Sequence, residues 1–136
     1  MAFIPFHQHL IVRGFCKKPF TSSDDLNKWF IDLVHNVEME VVAGPTSVYV
    51  SEEGNEGVTG TVTLATSHSS IHIWDHTDPA LFQFDIYSCK LYDIQIVFDH
   101  LNIMDVISFE WLLIDRNNGV SAENKGIGHG SEYKTL

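Results

Sequence analysis

The feature that most constrains the fold is a run of three predicted β-strands between positions 57 and 89, in which apolar side chains occupy alternate positions. Successive side chains of a strand point to opposite faces of a sheet, so alternation makes one face apolar and the other polar. The alternating segments are 58–66, 69–74 and 81–88. They predict neighbouring strands of one sheet whose apolar face packs against a core.

The polar face of these strands carries chemically reactive side chains. Alternation places Thr59, His72 and Cys89 on that face, one on each strand. A hydroxyl, an imidazole and a thiol that converge on one sheet face form a candidate catalytic site. We therefore expect these three side chains to lie together.

Two amphipathic helices and further strands are predicted around this stretch. The first helix begins at Ser22 or Ser23, either of which is a favourable N-cap, and its apolar stripe extends to Val37. Apolar spacing predicts a second helix over 92–102. The fold class that follows is α+β, a two-layer sandwich of an antiparallel sheet with both helices on one face. The remaining strands are predicted at 7–14, 40–50 and 104–115.

The chain is predicted to consist of one domain and a polar tail. Its 136 residues are enough to bury one hydrophobic core, and the sequence contains no internal repeat. Every predicted helix and strand lies in residues 1–116, whereas residues 117–136 are polar and rich in Gly and Asn. We therefore expect a mobile C-terminal tail after the domain.

Charge and composition argue against several classes of function. The formal net charge is −10 and no basic run exceeds Lys17-Lys18, so nucleic-acid binding is not expected. No apolar run reaches the ~20 residues of a membrane span, and the first residues lack the pattern of a signal peptide. The two cysteines lack the CxxC spacing of a zinc knuckle or a redox pair. We expect a cytoplasmic protein that binds neither nucleic acid nor a membrane.

Three histidines recur every four positions, at His68, His72 and His76. On a helix this spacing would place them in one metal site. On the predicted strand, His68 and His72 share a face but lie ~13 Å apart, which is too far for one ion. The sequence therefore predicts no metal site.

Three blocks of this stretch resemble the prokaryotic-type S-adenosylmethionine decarboxylases, which are small pyruvoyl-dependent enzymes of polyamine (spermidine) biosynthesis. In family order, the blocks are GVTG at 57–60, SHSSIHIW at 67–74 and FDIYSC at 84–89. The resemblance extends more weakly to the first strand and fades after Cys89. It implies a small-molecule substrate and a homodimer whose sheets stack face to face in an αββα arrangement.

The resemblance also implies that the chain is a proenzyme that cuts itself between Thr66 and Ser67. The Ser67 hydroxyl would attack the carbonyl carbon of Thr66, and β-elimination would then divide the chain into residues 1–66 and 67–136. Ser67 would remain as a covalently bound pyruvoyl group, the only cofactor implied, without a metal. A pyruvoyl carbonyl forms a Schiff base with the substrate amine and accepts the electrons that remain when carbon dioxide leaves.

Four further residues receive roles from the resemblance. Thr59 stands at the position of a family serine and would stabilise the oxyanion formed during processing. His72 would be the general base that removes the α-proton of Ser67. Cys89 would return a proton to the carbanion after decarboxylation. Trp74 offers an aromatic face to an adenine ring or an alkyl chain.

Several positions depart from the family pattern and leave the substrate open. Thr66 stands where the family has glutamate, and the family's Trp-Pro-Glu appears as Trp74-Asp75-His76. Asp75 and, more weakly, Glu53 are then candidates to bind a ribose or a basic side chain. The resemblance implies S-adenosylmethionine as the substrate, and a basic amino acid such as ornithine or arginine is the alternative. A non-catalytic binding relative of the same fold is the second alternative.

Overall fold

An antiparallel sheet forms one layer of the computed structural model, which describes residues 6–136 apart from the side chain of Glu123. Residues 1–5, on which part of the expectation about a signal peptide rests, lie outside the described residues. The eight strands within the described range are β1 (Gln8–Cys16), β2 (Val41–Val50), β3 (Gly57–Leu64), β4 (Ser67–Trp74), β5 (Ala80–Ser88), β6 (Val106–Asp115), β7 (Ser121–His129) and β8 (Glu132–Thr135). Their order across the sheet is β2-β3-β4-β5-β1-β6-β7-β8, and every neighbouring pair is antiparallel.

The second layer contains α1 (Ser23–Asn36) and α2 (Ile94–Leu101), and α2 continues into a 3-10 turn, Asn102–Met104. Ser22 caps α1, because the backbone N–H of Asp25 donates to Ser22 Oγ at 3.4 Å. Both helices bury their apolar sides in one cluster with the apolar face of the sheet. The predicted α+β sandwich is therefore confirmed. Neither helix in the described part of the chain has the length and apolarity needed to span a membrane.

The predicted alternation of the central strands is confirmed by burial. Intervening side chains lie on the other face of the sheet, which is called the helix-free face below. Burying one large apolar side chain stabilises a fold by about 1.5–3 kcal/mol, so the buried row holds each strand in its register. The buried side chains that point toward the helices are Val58, Val62, Leu64, Ile71, Ile73, Phe82, Phe84 and Ile86.

The glycines of the GVTG block allow β3 to approach its neighbours closely. Gly60 lies under α1, where an added Cβ would be 2.8 Å from Leu26 Cδ2 and equally close to Phe30 Cε2. Gly57 has a φ of 150°, and an added Cβ there would collide with the backbone carbonyl of Ile73. An added Cβ at Gly60 would also collide with Ser47 Oγ of β2, so close packing among α1, β2, β3 and β4 accounts for both glycines.

The region 117–136 corrects the prediction of a mobile tail, because most of it forms a β-hairpin at the edge of the sheet. β7 pairs with β6, and β8 pairs with β7. Gly126 and Gly128 leave the space that the rings of Trp111 and Phe109 occupy. The tail prediction is wrong because these glycines hide the alternation of β7, while aromatic side chains of β6 supply its apolar contacts.

Replacing Gly60 with alanine is expected to destabilise the fold by about 1–3 kcal/mol, because the added methyl group overpacks the contact between β3 and α1. Urea denaturation followed by circular dichroism measures the free energy of unfolding. The matched control is Thr61→Ser, which changes one methyl group on the helix-free side of the same strand and should cost less than about 0.5 kcal/mol. Equal stability of Gly60→Ala and the natural chain would contradict the close packing.

Candidate active site

Thr59 and His72 meet on the helix-free face, because the pairing of β3 with β4 makes them direct partners. Thr59 Oγ1 is hydrogen-bonded to His72 Nδ1, and the imidazole meets the Trp74 ring edge-on at 4.2 Å between centroids. Burial holds the pKa of His72 below its ordinary value, so the imidazole is neutral near pH 7. When Nδ1 donates to Thr59, the buried Nε2, which has no hydrogen-bond partner among the described residues, can accept a proton.

Ser67 lies at the opposite end of β4, directly after the turn of Ala65 and Thr66 that joins β3 to β4. Its register partner is Ser88, the last residue of β5. Thr66 Oγ1 and Ser88 Oγ are hydrogen-bonded at 3.0 Å, which anchors the turn to β5. Cys89 follows Ser88 and therefore comes to the same end of the sheet as the Thr66–Ser67 peptide bond.

Of the two cysteines, Cys89 is the one whose thiol a substrate can reach. Cys89 is partly exposed, whereas Cys16 is fully buried in the core. Burial, together with the nearby Asp105 carboxylate, raises the pKa of the Cys16 thiol to about 12. Such a thiol stays protonated and unreactive, so Cys89 is the candidate for proton transfer.

Within one protomer, the predicted catalytic residues lie in two separate groups. Ser67 and His72 are five positions apart on β4, which corresponds to about 17 Å. Cys89 lies six positions beyond Gln83, the register partner of His72, which corresponds to about 20 Å along the sheet. The expectation that Thr59, His72 and Cys89 converge is therefore met only in part within one protomer, because Thr59 and His72 meet but Cys89 lies apart from them. Alternation assigns a residue to a face, but strand register decides its position along that face.

These two groups are named here by their chemistry. The base half-site consists of Thr59 and His72. The junction half-site consists of Ser67 and Cys89, beside the peptide bond at which cleavage is predicted.

The predicted substrate-binding residues adjoin the base half-site. Trp74 Nε1 donates to Asn55 Oδ1 at 3.1 Å, and Tyr49 OH donates to Asp75 Oδ1 at 3.0 Å. The hydrogen bond to Asp75 raises the pKa of Tyr49. Glu53 is exposed in the loop between β2 and β3. Tyr49 was missed by sequence reasoning, because only the pairing of β2 with β3 brings it to this end of β4.

A third polar group lies on the helix-free face, where β1, β5 and β4 are neighbours. Asp85 Oδ2 is 2.7 Å from His9 Nε2 and 3.6 Å from His68 Nε2, and Ser70 Oγ donates to Asp85 Oδ1. Burial favours a higher pKa for Asp85, but the hydrogen bonds from His9 and Ser70 outweigh it and hold the pKa below its usual range. His68 Nδ1 also lies 3.4 Å from Ser67 Oγ, so the group reaches the junction half-site. No local spacing in the sequence signals this grouping.

One comparison with known proteins bears on this site. The sequence profile of the S-adenosylmethionine decarboxylase family matches residues 8–104, which is more than half of the chain. The matched region contains both half-sites and the polar groups beside them. No curated protein matches the chain.

Replacing Asp85 with asparagine is expected to destabilise the fold by about 1–2 kcal/mol near pH 6, because the amide loses charge-assisted hydrogen bonds at a partly exposed position. The folded-state pKa of Asp85 is depressed, so its contribution is present above the unfolded pKa and is lost as the pH falls through the folded pKa. The cost of the substitution should therefore shrink below about pH 4.

Urea titrations at pH 6 and pH 3 measure this difference in unfolding free energy. The control is Asp32→Asn on the exposed side of α1, which should change the free energy by less than about 0.5 kcal/mol at either pH. A cost for Asp85→Asn that is the same at both pH values is the result that argues against the charge-assisted hydrogen bonds.

Proposed function

Because the chain belongs to the S-adenosylmethionine decarboxylase family, we propose that it is a self-processing, pyruvoyl-dependent decarboxylase of S-adenosylmethionine. The family is one of decarboxylases, and its match covers every residue that receives a catalytic or substrate-binding role below. The observation that carries the proposal is the position of the Thr66–Ser67 peptide bond, at a two-residue turn with the Cys89 thiol at the same end of the sheet. Cleavage there interrupts no strand.

Self-processing begins at Ser67. Its hydroxyl attacks the carbonyl carbon of Thr66, the peptide C–N bond breaks, and the Thr66 acyl group becomes an ester on Ser67 Oγ. Removal of the Ser67 α-proton then expels Thr66 as a free carboxylate and leaves dehydroalanine at position 67. Addition of water and loss of ammonia convert this residue into a pyruvoyl group at the new amino terminus.

The base half-site offers the two groups that these steps require. His72 is neutral and has a buried, unpartnered Nε2 among the described residues, so it can remove the α-proton of Ser67. The Thr59 hydroxyl can donate a hydrogen bond to the oxyanion that forms during the attack. The hydrogen bond between Thr59 and His72 holds the imidazole in one orientation.

A homodimer is part of the proposal, because the two half-sites lie about 17 Å apart in one protomer. The helix-free face also leaves apolar side chains in water: Ile11 is 38% exposed and Ile127 is 45% exposed, and Leu112 lies next to Ile11 in register. Stacking two helix-free faces about a twofold axis perpendicular to the strands brings opposite ends of the two sheets together. Each base half-site then comes to the end of the sheet at which the partner's junction half-site lies, in an αββα arrangement.

Decarboxylation follows in the processed protein. The pyruvoyl group supplies the electron sink that ordinary side chains lack. The Cys89 thiol returns a proton to the carbon from which carbon dioxide has left. Trp74 presents an aromatic face to the nucleoside, and Asp75, held by Tyr49, can accept hydrogen bonds from ribose hydroxyls. The product, decarboxylated S-adenosylmethionine, is a precursor of spermidine.

Asp75 also supports a second candidate substrate. Its carboxylate could bind the side-chain cation of a basic amino acid such as ornithine or arginine. The exposed Glu53 belongs to the loop that contacts Asp75, since the Asp75 N–H donates to the Glu56 carbonyl at 3.0 Å. The family match favours S-adenosylmethionine over this alternative. The remaining candidate is a non-catalytic binding protein of the same fold. It would be favoured if the chain is never cut.

The intact mass of the purified protein is expected to show two fragments, residues 1–66 and 67–136, the second with a blocked amino terminus. Ser67→Ala should remain uncut, because it lacks the attacking hydroxyl. The control Ser51→Ala, in the exposed loop between β2 and β3, should be cut like the natural chain. If the natural protein shows only the mass of the uncut chain under all conditions, the pyruvoyl mechanism is contradicted.

Reduction of the processed protein with cyanoborohydride then identifies the substrate class. We expect S-adenosylmethionine to add to the fragment 67–136, and ornithine and arginine to add little. Preferential addition of a basic amino acid would instead assign the second candidate substrate.

Co-expression of two inactive variants tests the shared site. His72→Ala lacks an intact base half-site and Ser67→Ala lacks the junction serine, so neither chain should be cut alone. A mixed dimer has one complete site. Its base half-site comes from the Ser67→Ala chain, and its junction half-site comes from the His72→Ala chain. We expect mass spectrometry to find cleavage of the His72→Ala chain only when both are present. Cleavage of His72→Ala alone, or no cleavage in a purified mixed dimer, would contradict the shared site.

A further inference from the structure

Three potential metal ligands converge on the helix-free face, outside both half-sites. One ligand atom from each of His9, His68 and Asp85 lies within 4.8 Å of the other two. They come from three neighbouring strands, β1, β4 and β5, so the sheet itself holds their backbones in place. Two imidazole nitrogens and a carboxylate oxygen are a common ligand set for zinc and related cations.

We propose that His9, His68 and Asp85 bind a divalent transition-metal cation, with Zn²⁺ as the reference ion. Ligand bonds of about 2.0–2.2 Å require the ligand atoms to lie roughly 3–3.6 Å apart. His68 Nε2 already lies 3.6 Å from Asp85 Oδ2, and His9 Nε2 needs to withdraw slightly from its hydrogen bond at 2.7 Å. Small side-chain rotations complete the site.

A hydrogen-bonded network accounts for only part of this arrangement. It explains the contact between His9 and Asp85, and the donation from Ser70 to the second carboxylate oxygen. His68 is not hydrogen-bonded to the carboxylate, because its Nε2 lies 3.6 Å from Asp85 Oδ2, an ion-pair separation. A cation shared by the three atoms would bring His68 into direct coordination beside His9 and Asp85.

The surroundings hold the ligands as metal sites in proteins usually do. Ser70 fixes the carboxylate oxygen that does not face the two imidazoles. The Tyr87 ring packs 5.9 Å from the His9 ring and 5.9 Å from the His68 ring, between centroids. The Arg116 guanidinium lies 4.1 Å from the centroid of Tyr87 and restrains that ring. The His68 side chain is 53% exposed, which gives a cation a route from solvent.

A bound cation also has a local consequence at the cleavage junction. Coordination through Nε2 leaves the His68 proton on Nδ1, which lies 3.4 Å from Ser67 Oγ. With the cation bound, His68 Nδ1 can only donate a hydrogen bond to Ser67 Oγ. The metal site itself does not depend on whether the chain is cut.

Isothermal titration calorimetry of chelator-treated protein with Zn²⁺ tests the proposal, and the absorption spectrum of the Co²⁺-loaded protein reports the ligands. We expect one ion per chain and, in His68→Ala and Asp85→Asn, a loss of affinity of at least about tenfold. Ser67→Ala should bind like the natural chain, which separates this site from self-processing. His68 is largely exposed, so His68→Ala is expected to stay folded, as circular dichroism can verify.

The matched control is His129→Ala. It breaks the pair of His129 and Glu132, which has the same 3.6 Å separation of nitrogen and oxygen but only two members. Its affinity for Zn²⁺ should equal that of the natural chain. The absence of binding to the natural chain overturns the proposal, and so does equal binding by folded His68→Ala and the natural chain.

Discussion

One-sided burial of the central strands is the interaction on which the rest of the structure depends. Ile71, Phe82 and Phe84 point into the cluster beneath the helices, where Phe30 of α1 meets the sheet. A slip of one residue in any of these strands would move its apolar side chains to the helix-free face. Burial therefore fixes the register, and the register places the polar residues that lie between the buried ones. The arrangement of reactive groups is a consequence of packing on the opposite side of the sheet.

Asp85 is the charge around which the middle of the helix-free face is arranged. A partly buried carboxylate must be stabilised by donors or by a cation, because leaving water costs it free energy. His9 and Ser70 form hydrogen bonds with the two carboxylate oxygens. His68 Nε2 lies 3.6 Å from Oδ2, the oxygen that His9 contacts. The proposed cation would use the same side chains as these hydrogen bonds.

Much of the fold could be predicted from the sequence, because alternation and helical spacing are local properties. The C-terminal hairpin could not, since its strand β7 carries glycine where an apolar side chain would mark the pattern. Gly126 and Gly128 are strand positions only because Trp111 and Phe109 fill the space above them. These contacts link separate strands, and no window of the sequence contains them as a period.

The sequence by itself determined the fold class and the two faces of the central strands, and it supplied the candidate reactive residues. The periodicity of apolar side chains and the short motif blocks are enough for these inferences, because both are local patterns of neighbouring residues. Only the tertiary structure decided that Cys89 lies at the far end of the sheet from Thr59 and His72, and that His9 joins Asp85. These relations depend on strand order and register, which follow from packing of the whole core and not from any local pattern.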